Sequence, residues 1–414
     1  MFPIRRVFYA SAGRADIIAS HRAWREGQDN PTEVSITFSS QVEEFCRRIG
    51  ADALLVSDRD DGAILQDGGF RLEHRGKRAR TGVFYFWEEV RYCLMLLRAA
   101  RSFRADVALI DSGVTLFFLQ RLFPLFGIPV LPILHNCLWA RGFRPRSVGQ
   151  KLIQWLDGRF WRHVPCATIA VSPEAERQVE ELSGPRHPPI AQIRAQFHRS
   201  FFASIPPPRP EHTPFEVMFI GRVIEEKGVL DIPLMARFIE DRSPGLVRWT
   251  ICGRGEALES VRALITELNL LDRVDVPGWV SLDELQRLYA KSHVWIVPTR
   301  SGFAEGLAMT AAESIMAGRP IVSNPIVPAL ELLAPAAVPA RSNDWQSHAE
   351  AVLSIASNRD LYRQLQAACA PLAEQFFDRD RGLTAVLVRM LGNAPKAAAP
   401  DRVSRMETHA DGRA

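Results

Sequence analysis

Residues 303–322 read Phe303-Ala304-Glu305-Gly306-Leu307-Ala308-Met309-Thr310-Ala311-Ala312-Glu313-Ser314-Ile315-Met316-Ala317-Gly318-Arg319-Pro320-Ile321-Val322. A glycine-bearing loop enters an apolar helix predicted over 307–317, Gly318 ends it as a C-cap, and a short apolar strand follows. Two carboxylates stand out. Glu305 falls just before the helix and Glu313 about two turns into it. Eight residues at ~1.5 Å rise separate them by about 12 Å. Between them lie the free N–H groups of the helix start, at the positive end of its dipole, a setting for an anion such as a diphosphate. Glu313 sits on an otherwise apolar helix, where an unpaired buried carboxylate is costly. It needs a partner, either hydroxyls of a ligand such as a ribose or an arginine such as Arg319.

Two further strand-to-loop turns lie upstream. Ile251-Cys252-Gly253-Arg254-Gly255 ends a strand in a Gly-x-Gly turn, where glycine admits a ligand close to the backbone. No third glycine completes a dinucleotide fingerprint, and Arg254 also fits a plain surface residue. Phe219-Ile220-Gly221-Arg222-Val223-Ile224-Glu225-Glu226-Lys227-Gly228 places Arg222 and Lys227 beside a glycine turn at a strand's carboxyl end. Two cations there suit a diphosphate. A solvated loop with a Lys–Glu pair is the other reading.

The βα rhythm extends over the whole chain. In the second half strands are predicted over 217–220, 249–252, 274–276, 294–297 and 320–322, with helices over 258–269, 282–291 and 345–357. Ser281-Leu282-Asp283-Glu284 reads as a capping box. In the first half the strands are 4–10, 34–38, 53–56, 107–110, 130–134 and 168–171, with helices over 42–49 and 87–104. Ser172-Pro173 supplies a hydroxyl cap and a first-position proline. The strands are apolar on both faces, as in parallel sheets covered by helices. Residues 204–214, SIPPPRPEHTP, cannot continue a helix or a central strand and form the linker. The expected organisation is an N-terminal α/β domain over 1–203, the linker 204–214, a second α/β domain over 215–375, a helix over 376–392 crossing back to the first domain, and a disordered tail over 393–414. Ligands of such sheets bind beyond the carboxyl ends of the strands, here the cleft between the domains.

The chain has 414 residues, 47% hydrophobic and 24% charged, with a net charge of +4. That excludes a mostly disordered protein, a collagen-like repeat and a disulfide scaffold, and is too mild for a nucleic-acid binder. Six scattered cysteines form no CxxC pair and point to a reducing, cytoplasmic setting. Arg5 and Arg6 precede an apolar run too short for a signal core. Residues 114–134 are apolar but broken by Arg121, Pro124, Pro129 and Pro132, so they read as buried elements. Asp58-Arg59-Asp60 and Asp378-Arg379-Asp380 match Asp-x-Asp, a metal-binding tripeptide in some transferases, and are read as turns or caps, so no metal site is expected. Residues 141–163, RGFRPRSVGQKLIQWLDGRFWRH, carry six Lys/Arg against Asp157, with Phe143, Trp155, Phe160 and Trp161 interleaved. Two readings stand: a packed helix with a solvated basic face, or a peripheral contact with the inner face of an anionic membrane.

Taken jointly, Gly221-Arg222-x4-Lys227, the Glu305-x7-Glu313 pair and the following Ala-Gly-x-Pro-Ile-Val run resemble the C-terminal half of retaining glycosyltransferases of family 4. The resemblance covers about residues 215–340 well and the first half weakly. It implies a GT-B fold of two Rossmann-like doubly wound domains facing across a cleft. It also implies a hexosyltransferase that uses a nucleotide-diphosphate sugar, a UDP- or GDP-hexose, as donor substrate with no cofactor. In that pattern Arg222 and Lys227 neutralise the departing diphosphate, Glu313 holds the ribose, Glu305 contacts the transferred sugar, and the amides of Gly306 and Leu307 add contacts. The base would lie near Gly278-Trp279-Val280, beside Gly253. His135, after the strand 130–134, resembles the family histidine facing the donor sugar, though a histidine there also fits a structural role. Gly13 matches the N-terminal glycine loop near the diphosphate. The acceptor would be a saccharide or a lipid-linked saccharide in bacterial polysaccharide or lipopolysaccharide assembly. Three departures stand out. Ala308 replaces a usual glycine, the loop Ser11-Ala12-Gly13-Arg14 has one glycine, and residues 192–198 lack an Asn-Gly pair. A catalytically weak scaffold of the same fold and a sugar-nucleotide epimerase are the competing readings.

Overall fold

The computed structural model describes residues 4–28, 33–209 and 211–392. The expected tail over 393–414 lies outside them. The fold is α/β, built on two sheets.

The first sheet holds eight strands: β1 (Arg6–Ser11), β2 (Asp52–Ser57), β3 (Ile64–Asp67), β4 (Phe70–His74), β5 (Val107–Asp111), β6 (Val130–Leu134), β7 (Thr168–Ala170) and β8 (Ile190–Gln192), in the order β3-β4-β2-β1-β5-β6-β7-β8. All neighbours are parallel except β3, which pairs antiparallel with β4. β1 is central: Val7 faces Ala53 of β2 on one side and Val107 of β5 on the other. The second sheet holds β9 (Phe215–Ile220), β10 (Val247–Cys252), β11 (Val274–Gly278), β12 (Val294–Val297), β13 (Ile321–Ser323) and β14 (Ala337–Pro339), in the order β11-β10-β9-β12-β13-β14. All its pairs are parallel. Chain order reverses direction around β9, so the crevice at its carboxyl end is where a ligand is expected.

Burial explains the apolar runs. The residues of β5 and β6 are buried on both faces, between a core that holds Phe8, Leu96, Ile110 and Trp161 and another that holds Val7, Phe45, Leu109 and Leu387. The second sheet is enclosed in the same manner. Ser172 caps the helix Pro173–Ser183 by accepting from the Ala175 N–H.

Three expectations are corrected. Residues 34–38 are not a strand. Ser35 makes one isolated bridge to Phe197, and Thr37 caps a helix over Phe38–Ile49. The helix expected over 376–392 is two pieces, Cys369–Phe377 and Leu383–Leu391, with a 3-10 turn between them capped by Asp378. Phe376 stays in the core beside the second sheet, while the Leu383–Leu391 helix packs on the Phe38–Ile49 helix of the first half. Its start is tied there by the Leu383 N–H donating to Gln41 Oε1 at 2.9 Å and the Thr384 hydroxyl donating to the Gln41 carbonyl at 2.8 Å. At 281–284 the capping box is half made. Ser281 accepts from the Glu284 N–H at 3.3 Å, but the Glu284 side chain turns to Arg287. No helix among the described residues is long and apolar enough to cross a membrane.

Candidate functional site

A cavity of about 470 Å³ opens at the carboxyl end of the second sheet. It is lined by Gly221 and Arg222 after β9, Gly253 and Arg254 after β10, Gly278 and Trp279 at the end of β11, and Thr310 and Glu313 on the helix Met309–Met316. Val34 and Ser35 reach it from the first half. The turns after β9 and β10 crowd each other, and this is why Gly253 must be glycine. At Gly253, φ is +139° and a Cβ would stand 1.8 Å from the Gly221 carbonyl oxygen. The Gly253 N–H donates to the Gly278 carbonyl at 2.9 Å. Arg254 lies over the Trp279 ring at 4.6 Å, a cation–π contact that steadies both at the cavity wall.

Glu313 is buried, and burial pushes its carboxyl up to about 7. Its partner is the Tyr289 hydroxyl, which donates to it. Arg319 does not pair with it. That guanidinium is buried and donates to the carbonyls of Ser292, Ala317, Pro206 and Ala290, and desolvation lowers it to about 10. The arginine alternative for Glu313 is therefore corrected, because Arg319 is consumed in closing the ends of neighbouring elements. Tyr289 went unnoticed in the sequence. Its signal was a tyrosine four residues after Leu285 on one helix face, an apolar ring whose buried hydroxyl must find an acceptor.

A second cluster adjoins the cavity. Glu305 is buried and accepts from the Lys227 ammonium and, at 2.9 Å, from the Thr299 hydroxyl. The Lys227 ammonium also stands 4.3 Å from the centre of the Phe303 ring, and the Arg222 guanidinium 4.9 Å from the same ring. Phe303 thus joins the cavity's arginine to the Lys227–Glu305 pair. Neither Phe303 nor Thr299 carried a sequence signal of a role. The helix Met309–Met316 starts without a side-chain cap, and its N-cap Ala308 adopts φ +66°. A methyl group in that left-handed conformation costs about 1 kcal/mol relative to glycine.

The two halves meet at this cluster. The Cys137 N–H donates to the Glu305 carbonyl at 3.3 Å. A Cβ on Gly306 would lie 1.7 Å from the His135 carbonyl oxygen, so only glycine permits this approach. The His135 ring faces inward: Nε2 is 2.8 Å from Asp111 Oδ1, and the ring stands edge-on to Phe38 at 4.3 Å. Tyr9 donates to the other Asp111 oxygen at 2.6 Å. Leu307 buries its side chain in the core. Gly13 turns at φ +76° just after β1, but it is not among the residues lining the cavity.

The arrangement therefore brings together Gly221, Arg222, Gly253, Gly278 and Glu313 in one cavity, and Lys227, Glu305, Gly306, Leu307 and His135 beside it. Asp58 is engaged by the Arg14 N–H at 2.6 Å, and Asp378 by the Asp380 N–H at 3.0 Å. Among the described residues no cluster of three or more His, Cys, Asp and Glu could hold a metal ion.

Residues 202–369 match the glycosyl transferases group 1 family. The matched region contains β9–β14 and every residue of the cavity's second-sheet wall. The chain is 26% identical over 116 residues to the amylovoran biosynthesis glycosyltransferase AmsK of Erwinia amylovora, covering 27% of this chain and 28% of that protein. It is 26% identical over 149 residues to the putative colanic acid biosynthesis glycosyltransferase WcaL of Escherichia coli, covering 35% and 36%. The matched part thus spans about a third of each relative. Among solved structures it is similar to sucrose-phosphate synthase from Thermosynechococcus elongatus, with a TM-score of 0.67 at 14% identity over 94% of this chain and 98% of that one. It is also similar to Anabaena HepE in complex with UDP and glucose, with a TM-score of 0.62 at 13% identity over 94% and 98%. The fold is GT-B, two Rossmann-like sheets facing across a cleft.

Proposed function

We propose that the protein is a retaining, metal-independent hexosyltransferase. It moves a hexose from a UDP- or GDP-linked donor to a saccharide or lipid-linked acceptor in bacterial polysaccharide or lipopolysaccharide assembly. The observation that carries this reading is the cavity of about 470 Å³ whose wall combines close-packed glycine turns, Arg222 and the buried Glu313, next to an uncapped helix start and Lys227. The group 1 match and the similarity to AmsK and WcaL, named as glycosyltransferases of amylovoran and colanic acid biosynthesis, support the reaction class and the setting.

In this reading the nucleotide occupies the cavity. Ribose hydroxyls donate to Glu313, and the base lies along Gly278 and Trp279. The diphosphate faces the amides at the start of the Met309–Met316 helix and the cations Arg222 and Lys227, which supply the charge neutralisation a metal gives elsewhere. Lys227 must leave Glu305 to do so, which frees that carboxylate for hydroxyls of the transferred sugar. The bond between the sugar's anomeric carbon and the diphosphate oxygen breaks, and the acceptor oxygen forms its bond on the same face. The leaving diphosphate takes the acceptor's proton, so no side-chain nucleophile is invoked. His135 and Gly306, in contact across the cleft, flank the sugar, and Gly13 serves the diphosphate only if the first half moves closer.

A thermal-shift panel of UDP, GDP and ADP, with their glucose, mannose and N-acetylglucosamine forms, tests this. A ligand at 100 times its dissociation constant stabilises by about 2.7 kcal/mol. The expected result is a shift with one nucleotide series, lost in Glu313→Ala and Lys227→Ala. No shift with any of them refutes donor binding.

A further inference from the structure

The large apolar side chains that stand exposed are concentrated on the first half of the chain. One group opens the helix Val83–Phe103, where Phe84 is 72% exposed and Trp87 69%, with Val83 and Phe86 beside them. The other opens the helix Val148–His163. There Val148, Leu152 and Trp155 follow i, i+4, i+7 spacing and form one outward stripe. Both helices pack on the same face of the first sheet. Tyr92 and Leu96 of one, and Phe160 and Trp161 of the other, share a core with Phe8 and Ile110. The 3-10 turn Phe117–Arg121 touches both. Each helix follows a strand of the parallel sheet, so both exposed groups lie toward the strands' carboxyl ends, the end that bears the cleft.

The charges around them are predominantly cationic, the exception being Glu181, which lines the groove beside Trp155 and is paired with Arg144. Residues 75–104 hold eight Lys/Arg and two acids, Glu88 and Glu89. Both acids are buried and paired, with Arg91 and Lys77 respectively. Arg78, Arg80 and Arg98 line a groove with Phe84, Trp87 and Leu94. In the second helix the acid of the 141–163 stretch, Asp157, is also buried, and burial pushes it up to about 7. The outer surface is therefore aromatic and cationic at once.

We propose that this composite surface docks on an anionic lipid bilayer, with Phe84, Trp87 and Trp155 in the headgroup–acyl boundary and the arginines against lipid phosphates. A second copy of the chain fits the surface poorly, because self-association would set arginines against arginines. A bilayer satisfies both the rings and the cations. Docking itself stands apart from sugar transfer. Its consequence, that a lipid-linked acceptor meets the cleft at the membrane, rests on the function proposed above.

Vesicle co-sedimentation of the full chain tests the surface. We expect binding to phosphatidylglycerol-containing vesicles, weakened by salt, and little binding to pure phosphatidylcholine. Phe84→Ser/Trp87→Ser and Trp155→Ser should each lower partitioning about tenfold or more. Arg80→Glu/Arg98→Glu should abolish the preference for anionic lipid. These exposed positions leave the urea unfolding midpoint and the nucleotide thermal shift unchanged, which separates a failed surface from a failed donor site. The proposal is overturned if the wild type ignores anionic vesicles. It is equally overturned if the variants bind like wild type while deletion of 393–414 abolishes binding, or if the variants merely dissociate a dimer in sedimentation.

Discussion

Replacing Glu313 by Gln is a direct probe of the cavity, because its effect on stability has a sign and a pH window. A carboxyl moved by burial from 4.5 to about 7 carries about 3 kcal/mol, at ~1.4 kcal/mol per tenfold change. The shift is upward, so the folded protein keeps the proton that the unfolded chain releases. Below about 4.5 both states are protonated and the group is neutral toward stability. As pH rises through the window from 4.5 to about 7 stability falls, and above 7 the whole penalty is present. Gln keeps an acceptor for the Tyr289 hydroxyl and has no charge to desolvate, although its amide N–H groups need partners, which costs about 1 kcal/mol. Glu313→Gln should therefore be about 1–3 kcal/mol more stable than wild type at pH 8, with the advantage fading below pH 5. Urea unfolding at several pH values, wild type beside variant, reads this directly. A stability difference that stays constant from pH 4.5 to 8 would refute the reasoning, since the carboxylate would then not be held neutral by burial. The same variant should lose the nucleotide thermal shift, so a more stable protein that binds less is the joint signature.

Other changes test the neighbouring cluster. Lys227→Met removes a largely buried ammonium from a buried carboxylate and should destabilise by about 3–5 kcal/mol. Lys227→Met/Glu305→Gln should recover part of that loss in a denaturation cycle, and no recovery would mean that the pair is not coupled. Ala308→Gly relieves a methyl at φ +66° and should stabilise by about 1 kcal/mol by urea midpoint, whereas a loss would show that the backbone there is not strained. Gly306→Ala sets a Cβ against the His135 carbonyl, so the halves must part. A larger radius of gyration in solution scattering and lower donor turnover are expected, and an unchanged radius would contradict the close contact.

The repeated βα grammar was legible because buried parallel strands such as 107–110 and 130–134 are apolar on both faces. The β3–β4 hairpin was not. It lies at a sheet edge, where Ile64 is exposed and the four residues Ile-Leu-Gln-Asp show no apolar–polar alternation. Residues 34–38 looked like a strand from Val34, Ile36 and Phe38, but Thr37 has a hydroxyl placed to cap the helix that follows, and the cap prevailed. For the site, Gly253 and Gly306 were visible as glycines, yet what each one admits comes from elements remote in sequence, Gly221 and His135. Phe303, Thr299 and Tyr289 stayed hidden for the same reason. Their significance lies in what folds against them.

Both carboxylates are already satisfied within the protein, Glu305 by Lys227 and Thr299 and Glu313 by Tyr289. On the function proposed above, a donor arriving in the cavity would exchange partners with them instead of rescuing unpaired groups. Lys227 can turn to a diphosphate at small net electrostatic cost, because one anion replaces another beside it and the Phe303 ring stays under the ammonium. Glu305 then loses its cation and needs hydroxyl donors at the same moment. A nucleotide without its sugar supplies the anion but not those hydroxyls, so it leaves a buried carboxylate short of partners. The complete nucleotide sugar supplies both. If the proposed function holds, the Lys227–Glu305 pair would thus favour the intact donor over its product, a preference that would help to clear the cavity after transfer.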